Sequence, residues 1–317
     1  MKIGLVPVDN SGNFPNLPLM KLSAWHKLQG DKVKLFNKYS LKEADRVYMS
    51  KIFTFSPEYA EPIYAKEVIK SGTGYYYPDG GEPLSDEIEH IMPDYSLFDI
   101  KDTAYGFLTR GCPRNCGFCI VTKKEGRKSV KVADVAEFWN CQKEIVLLDP
   151  NILACKEHIR LLDDLRKTGA AIDFTQGLDA RLLNDENTAL LANLKIKAIH
   201  FAFDNYGDKD IITQKLKLFK EKTKKTGSIY ILCNYNTNIE QDLERIDMIY
   251  RLGYLPYVMV YNRDGLPADH ELRRIQRWAN SPAVFTRSPD YTRYKKSAVL
   301  FKEKRREQNS KKWTSLL

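Results

Sequence analysis

Tyr105-Gly106-Phe107-Leu108-Thr109-Arg110-Gly111-Cys112-Pro113-Arg114-Asn115-Cys116-Gly117-Phe118-Cys119 begins as a short apolar run and breaks into a loop with Cys-x3-Cys-x2-Cys spacing. The run predicts a strand over Ala104–Thr109, and Gly111, Pro113 and Gly117 predict a loop whose backbone can wrap closely around a compact group. Thiolates are soft ligands, and a tight loop aims several of them at one centre. Three from one loop can hold three irons of a cubane cluster and leave the fourth iron without a protein ligand, which is the open position that catalysis needs. A zinc knuckle is the competing reading, and it requires a fourth ligand to close its coordination sphere. No adjacent Cys or His supplies one; His90 and Cys141 are the nearest in sequence, and neither has ribbon-like spacing. Cys141, Cys155 and Cys233, scattered through the rest of the chain, read as buried thiols.

Downstream the pattern becomes regular. Strands are predicted at Ile145–Leu148, Ala171–Thr175, Ala198–Phe203, Ile229–Cys233 and Tyr257–Tyr261. Helices are predicted at Val132–Asn140, Lys156–Lys167, Asp185–Leu194, Asp208–Lys225, Ile239–Leu252 and Ala268–Ala279. Strand–helix units repeated in this way predict an α/β fold whose parallel sheet curls into a partial, TIM-like (β/α)6 barrel, with ligands at the C-terminal ends of the strands. Upstream, strands at Lys2–Val8, Lys32–Phe36 and Arg46–Met49 and helices at Asn16–Leu28 and Ala60–Ile69 predict a small Rossmann-like α/β domain. A Pro-, Gly- and acid-rich linker from Tyr77 to Asp94 suits a boundary. The expected organisation is therefore 1–97, the Rossmann-like domain; 98–280, the barrel; and 281–317, a basic C-terminal extension.

The cysteine spacing, the aromatic Phe118 before the third cysteine, and the loop's place after the first barrel strand resemble the radical S-adenosylmethionine (radical SAM) superfamily. The resemblance implies that Cys112, Cys116 and Cys119 ligate a 4Fe-4S cluster. It further implies that the amino and carboxylate groups of S-adenosylmethionine chelate the open iron, and that reductive cleavage yields a 5′-deoxyadenosyl radical that abstracts a substrate hydrogen. An iron-sulfur enzyme of this kind is oxygen-sensitive and depends on a low-potential electron donor of flavodoxin or ferredoxin type. Its substrate and catalytic residues are left unassigned.

Other positions carry over from the resemblance less directly. Where the superfamily has a Gly-Gly-Glu-like segment after the second strand, this chain reads Leu148-Asp149-Pro150-Asn151. Asp149 keeps an acceptor for the cofactor's amino group, but the glycines are missing, and the literal Gly80-Gly81-Glu82 lies upstream in the wrong place. After the third strand, Gln176 and Arg181 are expected to contact the cofactor, Arg181 by a bidentate clamp on its carboxylate. An ordinary loop with a capping Asp179 and a surface arginine is the equal alternative. Asp204 and Asn234, ending the fourth and fifth strands, are expected ribose or adenine contacts, although the fifth strand lacks the glycine-rich adenine motif. Lys123-Lys124-Glu125-Gly126-Arg127 reads as a solvated charge run.

The N-terminal domain resembles the cobalamin-binding-type Rossmann domain of one large branch, including a segment followed by Ser71-Gly72-Thr73-Gly74. That branch's cobalt-ligating Asp-x-His-x-x-Gly motif is absent. A degenerate domain shaping the substrate entrance is the favoured expectation; cobalamin stays open but is not favoured. His26 reads as a partly exposed imidazole within a helix. The absence of cysteine before position 112 argues against the methylthiotransferase branch, whose N-terminal domain carries a second cluster.

The composition is that of a globular chain: 317 residues, 43% hydrophobic and 29% charged. No stretch of about 18 uninterrupted apolar residues occurs, so no membrane partner is expected. The N-terminus lacks a signal-peptide h-region, and a cytoplasmic location is expected. The net charge of +9 is concentrated in Ser281–Leu317, where ten Lys and Arg face three acidic residues. With the basic helix predicted over 270–280, which carries Trp278, this supports a second reading. On it, the chain is a nucleic-acid-binding protein whose metal loop, zinc or iron-sulfur, is structural and whose tail carries affinity. A lid helix is an equal use of Arg277 and Trp278, and a nucleic-acid substrate would reconcile the two readings.

Overall fold

The computed structural model describes residues 1–9, 15–36 and 43–296. The expected tail therefore lies largely outside the described residues. Its described part contains the short helix Pro282–Arg287, numbered α9 below, and further helical residues at 291–296.

In chain order the elements begin with β1 (Lys2–Pro7), α1 (Leu17–Leu28), β2 (Lys32–Leu35), β3 (Ala44–Ser50), β4 (Ala65–Ser71) and α2 (Asp86–Glu89). There follow β5 (Thr103–Gly106), β6 (Thr109–Arg110), α3 (Val121–Lys124), β7 (Val130–Lys131), β8 (Glu144–Leu147) and α4 (His158–Thr168). Next are β9 (Ala171–Leu178), α5 (Asp185–Asn193), β10 (Ile196–Ala202), α6 (Lys209–Thr223) and β11 (Ser228–Cys233). Last are α7 (Ile239–Arg251), β12 (Leu255–Val260), α8 (Glu271–Ala279) and α9 (Pro282–Arg287).

The fold is mixed α/β with parallel sheets. One has four strands in the order β2-β1-β3-β4; another has six in the order β12-β11-β10-β9-β8-β5; and β6 and β7 form a separate antiparallel ribbon. By compactness the chain divides into two units, Met1–Leu178 with Asp185–Ala198, and Asp179–Asn184 with Ile199–Leu317. This division falls around β9, α5 and β10.

In the first unit, β1 sits between β2 and β3, and Ile3, Leu5 and Val6 are buried, as a strand covered on both faces requires. Ile3 and Leu5 pack with Leu19 and Leu22 of α1, while Val6 and Val8 pack with Phe36, Val47 and Met49 on the other face. Asn16 caps α1 by accepting from Leu19 N at 3.2 Å. Two expectations fail here. The helix expected over Ala60–Ile69 is absent; Ala65–Ser71 instead forms the edge strand β4, paired in parallel along Ala44–Ser50, because the sheet ladder satisfies its backbone and overrides local helix propensity. Irregular chain carrying Tyr59 and Ile63 packs against the cluster of Val6, Val8, Phe36, Val47 and Met49. His26, expected to be partly exposed, is buried between the Asp31 carboxylate (2.6 Å) and the Tyr48 hydroxyl (3.0 Å).

Farther along the same unit, the helix expected over Val132–Asn140 reduces to one 3-10 turn, Val135–Glu137. Glu137 closes the turn by accepting from Asp134 N at 2.7 Å, and Phe138 folds inward against Gly106, where a Cβ would meet its ring at 2.3 Å. Tyr95, just after the linker, joins β5 to the turn before β8, accepting from Tyr105 N (3.0 Å) and donating to Phe138 O (2.5 Å).

In the second unit, β10, β11 and β12 run parallel, and Pro256, Val258 and Val260 of β12 face inward. The edge strand β12 is blunted by α8 and the residue after it: Asn280 bonds both the N–H (2.6 Å) and the carbonyl (2.9 Å) of Val258. Trp278 is core. Its ring lies 4.8 Å from Phe285 and 5.1 Å from Tyr291, and its Nε1 donates to Ser288 O at 2.8 Å. No helix among the described residues is long and apolar enough to cross a membrane.

Candidate functional site

The cysteine loop is built on a ribbon. Thr109 and Arg110 of β6 pair with Lys131 and Val130 of β7, so the chain between them is closed at its base. Gly111 adopts φ +83°, and a Cβ there would lie 2.1 Å from Lys128 O. Only glycine fits both the left-handed backbone and that approach. Cys112 N donates to Gly126 O (3.2 Å), and Cys119 N to Cys116 O (3.0 Å). Glu125, expected to be solvated, braces the loop by accepting from Gly111 N (3.2 Å) and Arg110 Nη1 (3.0 Å).

Cys112, Cys116 and Cys119 are partly buried, and none of the six cysteines is in a disulfide. Among the described residues, no three His, Cys, Asp or Glu side chains stand together in a metal-sized group. The donor set nevertheless has the chemistry of an iron-sulfur loop, with three soft thiols on one short segment and a buried amide donating to one of them. That amide is Asn151 Nδ2, 3.4 Å from Cys112 Sγ.

Asp149, expected to receive a cofactor amine, is buried and directed at the loop's base. Its Oδ1 accepts from Thr109 N (2.5 Å) and Thr109 Oγ1 (2.7 Å), and its Oδ2 accepts from Leu108 N (3.1 Å). Burial pushes this carboxyl up to about 6, with the Thr109 and Leu108 donors pulling against it. Asp149 thus fixes the backbone that leads into Cys112. Gln176, near the end of β9, is exposed.

In the second unit, Arg181 is engaged within the chain. Its Nε and Nη2 form a bidentate pair with Asp179 (2.8 and 3.1 Å), and its Nη1 reaches Asp208 at 2.6 Å. Asp179 also caps the turn that follows β9, as the loop alternative anticipated. Asp204 accepts from Leu232 N at 3.2 Å, and burial pushes its carboxyl above the usual range. Asn234 sits at φ +66° and donates from Nδ2 to Tyr261 O at 2.9 Å.

The residues that order these strand ends were missed from sequence. Arg245 and Asp242, both buried, pair at 2.6 Å; the guanidinium also donates to Phe203 O (2.6 Å) and Leu232 O (2.8 Å), while Asp242 accepts from Asn234 N (3.2 Å). One ion pair thereby joins the C-terminal ends of β10 and β11. The signal available was Asp-x-x-Arg on a helix with a strong apolar face, where i and i+3 share a side. Cys155 and Cys233 are buried as expected, and burial together with Asp242 pushes the Cys233 thiol up; Cys141 is instead exposed, on a left-handed turn.

The Ser71-Gly72-Thr73-Gly74 segment is accounted for by packing. A Cβ at Gly72 would meet Lys51 O at 2.2 Å, and one at Gly74 would meet Phe53 O at 2.7 Å. These glycines let the turn lie directly on the chain after β3. No protein-family model and no curated protein matches the chain.

Proposed function

We propose that the chain is a radical SAM enzyme whose Cys112, Cys116 and Cys119 hold a 4Fe-4S cluster. The observation that carries this reading is the cysteine loop itself: three thiols on a glycine-shaped ribbon, fixed at the base by Asp149, braced by Glu125 and approached by the Asn151 amide. The chemistry such a cluster supplies when bound is one-electron reductive cleavage of S-adenosylmethionine to a 5′-deoxyadenosyl radical. The chain's own residues do the positioning. Asp149 holds Leu108 and Thr109 and Glu125 holds Gly111; Gln176 keeps the cofactor-contact role that the resemblance implies, whereas Arg181 is committed to Asp179 and Asp208, Asp204 to Leu232 N and Asn234 to Tyr261 O. The architecture proposed is a partial (β/α)6 barrel, a reading supported by the six strands standing in sequence order within one sheet. The setting proposed is cytoplasmic, with a flavodoxin- or ferredoxin-like electron donor.

The test is anaerobic reconstitution with iron and sulfide, followed by dithionite and S-adenosylmethionine, assaying 5′-deoxyadenosine from wild type beside Cys116→Ala. Release by wild type alone supports the enzyme. Tight zinc binding without a cluster or cleavage overturns it.

A second reading, nucleic-acid binding, is favoured by a basic patch. Lys217, Lys220, Lys222, Lys224 and Lys225 surround the C-terminal end of α6, with Glu221 the acidic residue among them. Affinity that falls steeply with salt and weakens in Lys217→Glu/Lys224→Glu supports this reading, whereas salt-independent binding counts against it.

A further inference from the structure

We propose that Asn151 is a positioning residue that sets the electron affinity of the Cys112 sulfur, an inference that rests on the cluster reading above. Asn151 is only 4% exposed. Its backbone carbonyl is fixed by the buried Ser129 hydroxyl at 2.9 Å, and its Nδ2 donates to Cys112 Sγ at 3.4 Å. Its Oδ1 is enclosed and has no hydrogen-bond partner among the described residues.

A thiol at Cys112 is a donor, and with the amide turned round its S–H would satisfy Oδ1. A thiolate carries only lone pairs and needs an N–H. The Nδ2 group, 3.4 Å from Cys112 Sγ, is placed to give a metal-bound thiolate there its N–H donor. Hydrogen bonds to ligand sulfurs, together with burial, set iron-sulfur potentials, because an N–H···S bond stabilises the more negative, reduced state more than the oxidised one. Asn151 follows Asp149 by two residues, so the segment that anchors the loop's backbone with its carboxylate also reaches its first sulfur with an amide.

The experiment is a redox titration, monitored by electron paramagnetic resonance, of the full-length reconstituted protein as wild type, Asn151→Leu and Asn151→Asp. Asn151→Leu keeps the shape and removes the donor. It is expected to leave about tenfold less cluster reduced at a fixed applied potential, about 59 mV for a one-electron couple. Asn151→Asp also places a negative charge beside the sulfur and is expected to shift further in the same direction. Variants that load iron as wild type does and titrate at the wild-type potential overturn the proposal. Should neither variant load a cluster, wild type labelled with 15N in the asparagine side-chain amide decides: a 15N coupling to the reduced cluster supports the hydrogen bond, and its absence overturns it. Wild type that takes up no cluster overturns the parent reading along with this one, and is seen before any variant is compared.

Discussion

Replacing Asp149 by asparagine isolates the most perturbed carboxylate of the cysteine-loop unit. Asp149 is raised from 3.8 to about 6 by burial. In a folded protein whose acid titrates above its unfolded value, the folded state holds the extra proton between the two values. The associated stability is present below about pH 4 and is lost as pH rises through about 6. A displacement of this size corresponds to about 3 kcal/mol in all, of which about 2 kcal/mol falls between pH 4 and pH 7. The substituted amide cannot ionise, but its NH₂ must face either the Leu108 or the Thr109 N–H, leaving one buried donor unmet at a cost of about 1–3 kcal/mol. Asp149→Asn is therefore expected to be clearly less stable than wild type at pH 4 and nearly level with it at pH 7. Urea unfolding of the reduced apoprotein at pH 4, 5, 6 and 7 measures the difference, and working with differences cancels the titration of every other group. A wild-type-minus-variant stability that stays flat across this range would refute the assignment of a desolvated, raised carboxyl.

Further outcomes follow from the same geometry. Gly111→Ala combines a left-handed backbone with a contact 2.1 Å from Lys128 O, so it is expected to abolish cluster loading, measured as bound iron. Gly126→Ala, at φ +92° with nothing within 4 Å of its Cβ, is expected to cost only about 1 kcal/mol and to keep its iron. Arg245→Met strands a buried Asp242 and is expected to lose about 3–5 kcal/mol by urea unfolding. In a double-mutant cycle with Asp242→Leu, a coupling of about 1–3 kcal/mol is expected, and additive losses would count against the pair as a unit. Trp278→Ala, which empties the cluster with Phe285 and Tyr291, is expected to destabilise by about 3–5 kcal/mol in the same assay.

Much of the fold can be read along the chain because it depends on local pattern. The continuous apolar runs of β1, β8 and β11 and the helical spacing of α4, α6 and α7 identify parallel strands and amphipathic helices within a few residues of their observed bounds. The cysteine spacing is equally local. The failures are contests between local preference and distant partners. Ala65–Ser71 takes the ladder that β3 offers, and Val135–Glu137 stops after one turn because Phe138 must fold against Gly106. Ligand assignment at the strand ends met the same limit, since residue type cannot say whether a carboxylate waits for a cofactor or already serves a neighbour.

Asp149 shows the distinction most clearly. Its acidic character and its place after a strand are written in the chain, as are the three thiols and the glycine that shapes their loop. That its carboxylate is spent on Leu108 and Thr109, that Arg181 is held by Asp179 and Asp208, and that Arg245 joins two strand ends are settled only when β8, β10 and β11 are assembled. Periodicity and ligand spacing are properties of neighbouring residues, whereas the partner of a buried charge is chosen by whatever donor the packed fold brings within about 3 Å, here from 40 residues away for Thr109 and 42 for Phe203.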